Sequence, residues 1–213
     1  FAKKSLGQNY LVDTNIVKKI INLTDIYDKN VLEIGPGKGA LTEHILEKNP
    51  KSLCLIEKDN ILSNELKLKY LNNKRVIIYN KDILKFDFKS KMKKNTVIFG
   101  NLPYNISSQI LAKIVKLKEN SINYSSIILM FQKELAERII GTFNSPNYGR
   151  LSILVNYRLK ILNKFNISPN CFLPKPKVES TVLHFKPIVK QIYNIKNLDN
   201  LEKVTNIFFS NKR

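Results

Sequence analysis

Val31-Leu32-Glu33-Ile34-Gly35-Pro36-Gly37-Lys38-Gly39 decides the fold of this chain. A short apolar strand runs into glycines at alternate positions, and a helix with Leu41, Ile45 and Leu46 on its apolar side follows. Glycines let a backbone turn sharply and approach a ligand with no Cβ in the way. The next strand, Leu53–Glu57, ends in a carboxylate 22 residues after Gly35, and a carboxylate there suits hydrogen bonding to ribose hydroxyls. The spacing is G-x-G-x-G, not the G-x-G-x-x-G of dinucleotide sites, which argues against a nicotinamide oxidoreductase. A tight turn without a ligand is the plainer alternative. Asp82 follows a third strand, Val76–Tyr79; it could accept from an adenine amino group or be an ordinary turn residue.

Outward from that loop, strands and helices alternate. Asp13 can cap a helix carrying Ile16, Val17, Ile20 and Ile21. Further helices are predicted over Ile61–Leu71, Gln109–Leu117 and Lys133–Ile140, and further strands over Thr96–Phe99 and Ile127–Phe131. Strands apolar on both faces, alternating with helices, predict an α/β fold with a mostly parallel sheet covered by helices. Later, Ser152–Tyr157 and Val178–Phe185 read as strands, with Thr181, Leu183 and Phe185 alternating against Val182 and His184. Leu198–Phe209 reads as a last helix, and Lys89–Lys94 as a basic loop.

The chain has 213 residues, with 36 Lys+Arg against 17 Asp+Glu and a net charge of +19. That is one large domain or one domain with a small appendage. No apolar stretch approaches the ~18 residues of a membrane span. Cys54 and Cys171 make no framework and no CxxC metal pair, so they read as thiols of a reducing compartment. No signal peptide shows, and Phe1 in place of Met leaves the natural start open upstream. The 31 Lys, 26 Asn and 27 Ile against only 5 Arg look like A+T-rich coding, which accounts for part of the charge but not for the scarcity of acids. Such a surface attracts polyanions, nucleic acid first among them.

Asn101-Leu102-Pro103-Tyr104, directly after the fourth strand, carries the most specific chemistry. The exocyclic amine of a base is a poor nucleophile because its lone pair is delocalised into the ring. An Asn carboxamide oxygen and a backbone carbonyl held by Pro can accept its two N–H groups, turn the lone pair toward an electrophilic methyl and stabilise the developing charge. An aromatic ring beside them can stack on the base, worth roughly 1–3 kcal/mol. A turn with an Asn cap remains the simpler alternative. Phe172, in a segment stiffened by Pro174 and Pro176, could stack on the other face if exposed, or lie in the core under its loop. An activated methyl needs alignment more than a general base, so His44 and His184 read as structural. Arg150, Lys175 and Lys177 are expected at the mouth of the pocket, on RNA phosphates.

Five segments appear in order: Ser5–Leu11, the glycine loop, Asn101–Tyr104, Tyr148–Ser152 and Phe172–Ser180. Together they resemble the ribosomal RNA small-subunit adenine dimethyltransferases, the KsgA family linked to kasugamycin sensitivity. The resemblance runs from about Lys4 to Lys186. It implies a Rossmann-like, S-adenosylmethionine-dependent fold with a seven-stranded sheet ending in an antiparallel hairpin. The catalytic domain would span 1–187, and 188–213 would be a linker and the truncated beginning of a helical C-terminal domain. It implies methylation of the N6 amino groups of two adjacent adenines near the 3′ end of small-subunit rRNA, giving N6,N6-dimethyladenosine.

Carried onto matching positions, Asn9 and Leu11 would contact the cofactor's methionine end, with Gln8 also in the cofactor site. Gly35 would line its glycine loop, Glu57 would hold the ribose and Asp82 the adenine, with Glu33, Gly37, Lys58 and Ile83 also in the cofactor site. Asn101 would stand between cofactor and amine, flanked by Leu102 and Pro103, with Tyr104 and Phe172 as base stackers and no metal. The partner would be the immature small ribosomal subunit, met by a monomer in the cytoplasm or an organelle, with no membrane involved. Position 10 is Tyr where many relatives have Phe. Two relatives of the same fold remain open: a large-subunit rRNA methyltransferase of the macrolide-resistance type, and a mitochondrial transcription factor.

Overall fold

A computed structural model of the chain describes residues 8–117, 123–188 and 198–210. Runs with no polar face to offer water became the inner strands: β2 (Asn30–Ile34), β3 (Ser52–Glu57), β5 (Thr96–Asn101) and β6 (Tyr124–Gln132). They join β4 (Val76–Asn80), β7 (Leu159–Ile167) and β9 (Ser180–Pro187) in one sheet, ordered β4-β3-β2-β5-β6-β9-β7. The first five are mutually parallel, and β9 runs antiparallel to both β6 and β7. This is the expected fold class. The chain leaves β2 through β3 and β4 to one side and returns through β5 to the other. The order therefore reverses between β2 and β5, and a crevice opens beyond their carboxyl ends.

Alternate strand residues feed two cores. Leu32, Ile98, Leu129 and Leu183 pack under α5 (Ser107–Val115), α6 (Lys133–Ile139) and α7 (Arg150–Arg158). Val31, Val97, Ile128 and Val182 pack under α1 (Thr14–Ile21), α2 (Ala40–Glu47) and α3 (Asn60–Lys69). Asp13 caps α1 as predicted, accepting from the Ile16 N–H at 3.0 Å. The last helix, α8 (Leu198–Ser210), ties back through the Lys116–Glu202 ion pair and an Arg150–Asn206 hydrogen bond. Among the described residues no helix is long and apolar enough to cross a membrane. Residues 1–7 and 189–197, which include the start of the Ser5–Leu11 segment and most of the expected linker, lie outside the described residues.

Three expectations need correcting. Ser152–Tyr157 is not a strand but the body of α7. The Gly149 N–H donates to Ser152 Oγ at 3.0 Å, and that hydroxyl donates to the Gly149 carbonyl at 2.8 Å, closing a first turn. Ser152, Val155 and Arg158 are then buried at helical spacing, and the true strand, β7, begins at Leu159. In β9 both faces are buried, His184 at 4% exposure as well as Leu183, because β9 lies between β6 and β7 with a core on each side. The His184 ring shares a hydrogen bond with Ser126 on β6 at 2.7 Å, and burial holds its pKa down. The basic stretch at 89–94 is partly a helical turn, α4 (Phe88–Lys91), anchored by buried Phe88 and Met92.

Candidate active site

The crevice at the switch point is a cavity of about 230 Å³. Its floor is the loop from β2 to α2. Gly35 and Gly37 have φ of +67° and +58°, and a Cβ on Gly37 would stand 3.0 Å from the Tyr10 ring. Tyr10 belongs to a two-residue strand, β1 (Tyr10–Leu11), paired with β8 (Phe172–Leu173); sequence reading missed both. Its hydroxyl donates to Gln8 Oε1 at 2.7 Å, Gln8 Nε2 donates to Asp59 Oδ2 at 3.3 Å, and Lys38 lies over its ring. The N-terminal segment is thus strapped across the glycine loop.

Three carboxylates stand around the cavity in different electrostatic states. Glu57, at the end of β3, accepts from the Gly37 N–H at 3.1 Å and the Asp59 N–H at 2.8 Å. Burial raises its pKa, and those backbone donors oppose the rise. Glu33 is 1% exposed and accepts from Thr42 Oγ1 at 2.7 Å. Burial pushes its pKa up to about 8, so this side chain is largely neutral near pH 7. Asp82 caps the 3-10 turn Ile83–Lys85 and pairs with Lys58 at 2.8 Å; that contact holds its carboxyl below the usual range.

On the opposite wall Asn101 ends β5. Its Nδ2 donates to the Asn9 carbonyl at 2.9 Å. A carbonyl partner takes only the NH₂ end of an amide, so Oδ1 is the end left to accept within the cavity. The Tyr104 hydroxyl lies 2.5 Å from Ser180 Oγ at the start of β9, which clamps the ring beside Asn101. That contact gives a physical reason for the Asn101–Tyr104 and Phe172–Ser180 segments to occur together. Every residue predicted for cofactor binding lines this one cavity, as do Leu102, Pro103 and Tyr104.

The whole chain, residues 1–213, matches the family described as Ribosomal RNA adenine dimethylase. The chain belongs to that family. A curated relative, Ribosomal RNA small subunit methyltransferase A of Pelagibacter ubique, is 47% identical over 212 residues, covering 100% of this chain and 80% of that protein. The protein of the same name from Malacoplasma penetrans is 42% identical and is covered to 75%. Among solved structures, a dimethyladenosine transferase from Plasmodium falciparum superposes with TM-score 0.82 at 32% identity, over 95% of this chain and 71% of that one. The 23S rRNA methyltransferase ErmE, at 21% identity and TM-score 0.76 over 95% and 79%, shares the fold.

Two expectations for this dimethylase differ from the structure. Phe172, which the family resemblance makes a base stacker, follows instead the other reading, a core residue under its loop: it is 3% exposed and packs with Leu11, Ile167 and Val182, since pairing of β1 with β8 turns it inward. It does not line the cavity. Arg150 lies at the start of α7 in a separate groove shared with Asn206 and Phe209 of α8, not at the cavity mouth. Lys175 and Lys177 are exposed on the loop before β9. Sequence reading gave no role to Asp59, Thr42 or Ser180. Ser180 falls within a segment it had singled out, Asp59 lies between a predicted strand and a predicted helix, and Thr42 had no local signal.

Proposed function

We propose that this chain transfers methyl groups from S-adenosylmethionine to the N6 amino groups of two adjacent adenines near the 3′ end of small-subunit rRNA, giving N6,N6-dimethyladenosine. The observation that carries this is the fixed amide of Asn101, with Oδ1 left as an acceptor between the glycine loop and Tyr104. The likeness to proteins named small subunit methyltransferase A favours this substrate over large-subunit rRNA.

The donor set fits the cofactor. Glu57 offers buried carboxylate oxygens for a ribose diol, and the positive φ of Gly35 and Gly37 shapes the floor, with the Tyr10 ring packed where a Cβ on Gly37 would stand. Asp82 and Ile83 offer an acceptor and an apolar surface for an adenine, and Gln8, Asn9 and Leu11 close the methionine end. Neutral Glu33 places no second full charge beside Glu57. When bound, the cofactor supplies a methyl already activated on a sulfonium. Asn101 Oδ1 and the carbonyl held ahead of Pro103 accept the two N–H groups of the adenine amine and aim its lone pair. Tyr104, clamped by Ser180, stacks on the base, which must leave its own stack to reach the cavity. Positioning of this kind stabilises developing positive charge on the amine with no general base.

In this proposal the partner is the immature small ribosomal subunit, met by a monomer in the cytoplasm or an organelle. The net charge of +19 favours RNA. Residues 1–187 form the catalytic part, and α8 is the described portion of a helical unit that 188–213 begin.

The test is transfer of labelled methyl to undermethylated small subunits, with large-subunit RNA as the competing substrate. Dimethyladenine in the 3′ region is expected, with Asn101→Ala slower by about 10²–10³-fold. Label on large-subunit RNA alone would overturn the substrate.

A further inference from the structure

The 3-10 turn Ile83–Lys85 follows Asp82, and Ile83 lines the cavity beside it. Carbonyls of this turn and of Phe86 just after it meet a single cation from α5. Lys113 Nζ donates to the carbonyls of Ile83 at 3.2 Å, Leu84 at 2.6 Å and Phe86 at 2.8 Å. An ammonium has three donors, and all three are used on backbone oxygens of one short segment. The Phe88 ring covers the same ammonium at 5.5 Å. Asp82 is the cap of that turn, and its carboxylate is held from the other side by Lys58 at 2.8 Å. Lys113 itself does not line the cavity. It stands on α5, whose first residue, Ser107, donates through its hydroxyl to the carbonyl of Tyr104 at 3.1 Å.

We propose that Lys113 is a positioning residue, which sets the Asp82–Ile83 wall of the cavity at a fixed distance from the Asn101–Tyr104 segment. One rigid helix holds both: its N-terminal end grips the tetrapeptide and its second turn grips the turn after β4. A lysine that served only solubility would leave its ammonium in water. Here three charge-assisted bonds converge on carbonyls that α5 could not otherwise reach. The consequence is registry, since a cofactor bound against Asp82 would be presented to Asn101 at a separation that Lys113 determines. This rests on the reading that the cavity takes S-adenosylmethionine.

The test uses the full chain and S-adenosylhomocysteine as probe, beside its S-inosyl counterpart, which lacks the adenine amino group. Lys113→Met keeps the stem and removes the donors, and Lys113→Arg keeps a cation. In Lys113→Met the Kd for S-adenosylhomocysteine is expected to rise about tenfold, the loss expected of charged hydrogen bonds. The preference over the S-inosyl probe should shrink, and KM for the cofactor should rise more than kcat falls. Lys113→Arg should recover most of the preference. In a double-mutant cycle with Asp82→Asn the effects should be non-additive. If Lys113→Met lowers the melting temperature but keeps wild-type affinity and preference, the lysine is merely structural and the proposal fails. If Lys113→Met does not fold, Lys113→Gln carries the same comparison. Wild type that binds neither probe would overturn the cofactor reading itself; wild type that binds, with additive effects in the cycle, would overturn Lys113 alone.

Discussion

Glu33 shows how far one residue's chemistry depends on a setting its neighbours in sequence do not reveal. Its pKa lies at about 8 against an ordinary 4.5, because burial disfavours the charge more than the Thr42 bond helps it. Between those values the folded chain keeps a proton that the unfolded chain has lost, so stability falls as pH rises through the window. His184, depressed from 6.5, acts in the opposite sense below that pH. The clean interval is therefore pH 6.5 to 8, where melting temperature should fall in wild type and fall less in Glu33→Gln; equal slopes would refute the assignment. At this scale the sequence was legible where a place on a strand end determines where a side chain stands, as for Glu57 and Asn101, which both line the cavity. It was illegible for Phe172, whose burial follows from a two-residue pairing with β1 across the molecule.

At the scale of elements, β5 carries the tightest packing at the site. A Cβ on Gly100 would come within 2.7 Å of Leu102 Cδ2, 3.0 Å of Leu129 Cδ2 and 3.3 Å of the Ile34 carbonyl. Gly100→Ala should therefore cost about 1–3 kcal/mol, read as a lower urea midpoint. Its methylation rate should fall too, because Asn101 is the next residue on the strand. An unchanged midpoint would mean that β5 yields more easily than its neighbours suggest. The parallel strands were legible because a strand buried on both faces is an unbroken apolar run. The exchange of strand for helix at α7 has the same root: Ser152–Tyr157 is rich in β-favouring residues, and the cap that makes it helical is one hydroxyl folded back on Gly149. β7 was missed because, at the sheet's margin, most of its side chains meet solvent and the sequence there has little pattern.

Over the whole molecule, charge is the property a sequence states most directly and explains least. A total of +19 predicts salt-sensitive binding to RNA, but not which lysines meet phosphate. Lys175 and Lys177 flank the loop that leads into Ser180, whereas Arg150 is engaged with α8. Replacing both lysines by Gln should flatten the slope of log affinity against log salt by about 0.7–0.9 for each phosphate no longer neutralised. Arg150→Gln should change it less. A double variant with the wild-type slope would place the RNA-binding surface elsewhere.

The position of β9 has a further consequence, in time. Ser180, which clamps Tyr104, is the first residue of the strand that also joins β7 to the sheet. Translation proceeds from the N-terminus, so every cofactor-lining residue is made well before it. In the proposed mechanism a growing chain on the ribosome thus makes its place for a methyl donor early and its grip on a base late. The clamp on Tyr104 that this mechanism uses forms only once the first residue of β9 has left the exit tunnel.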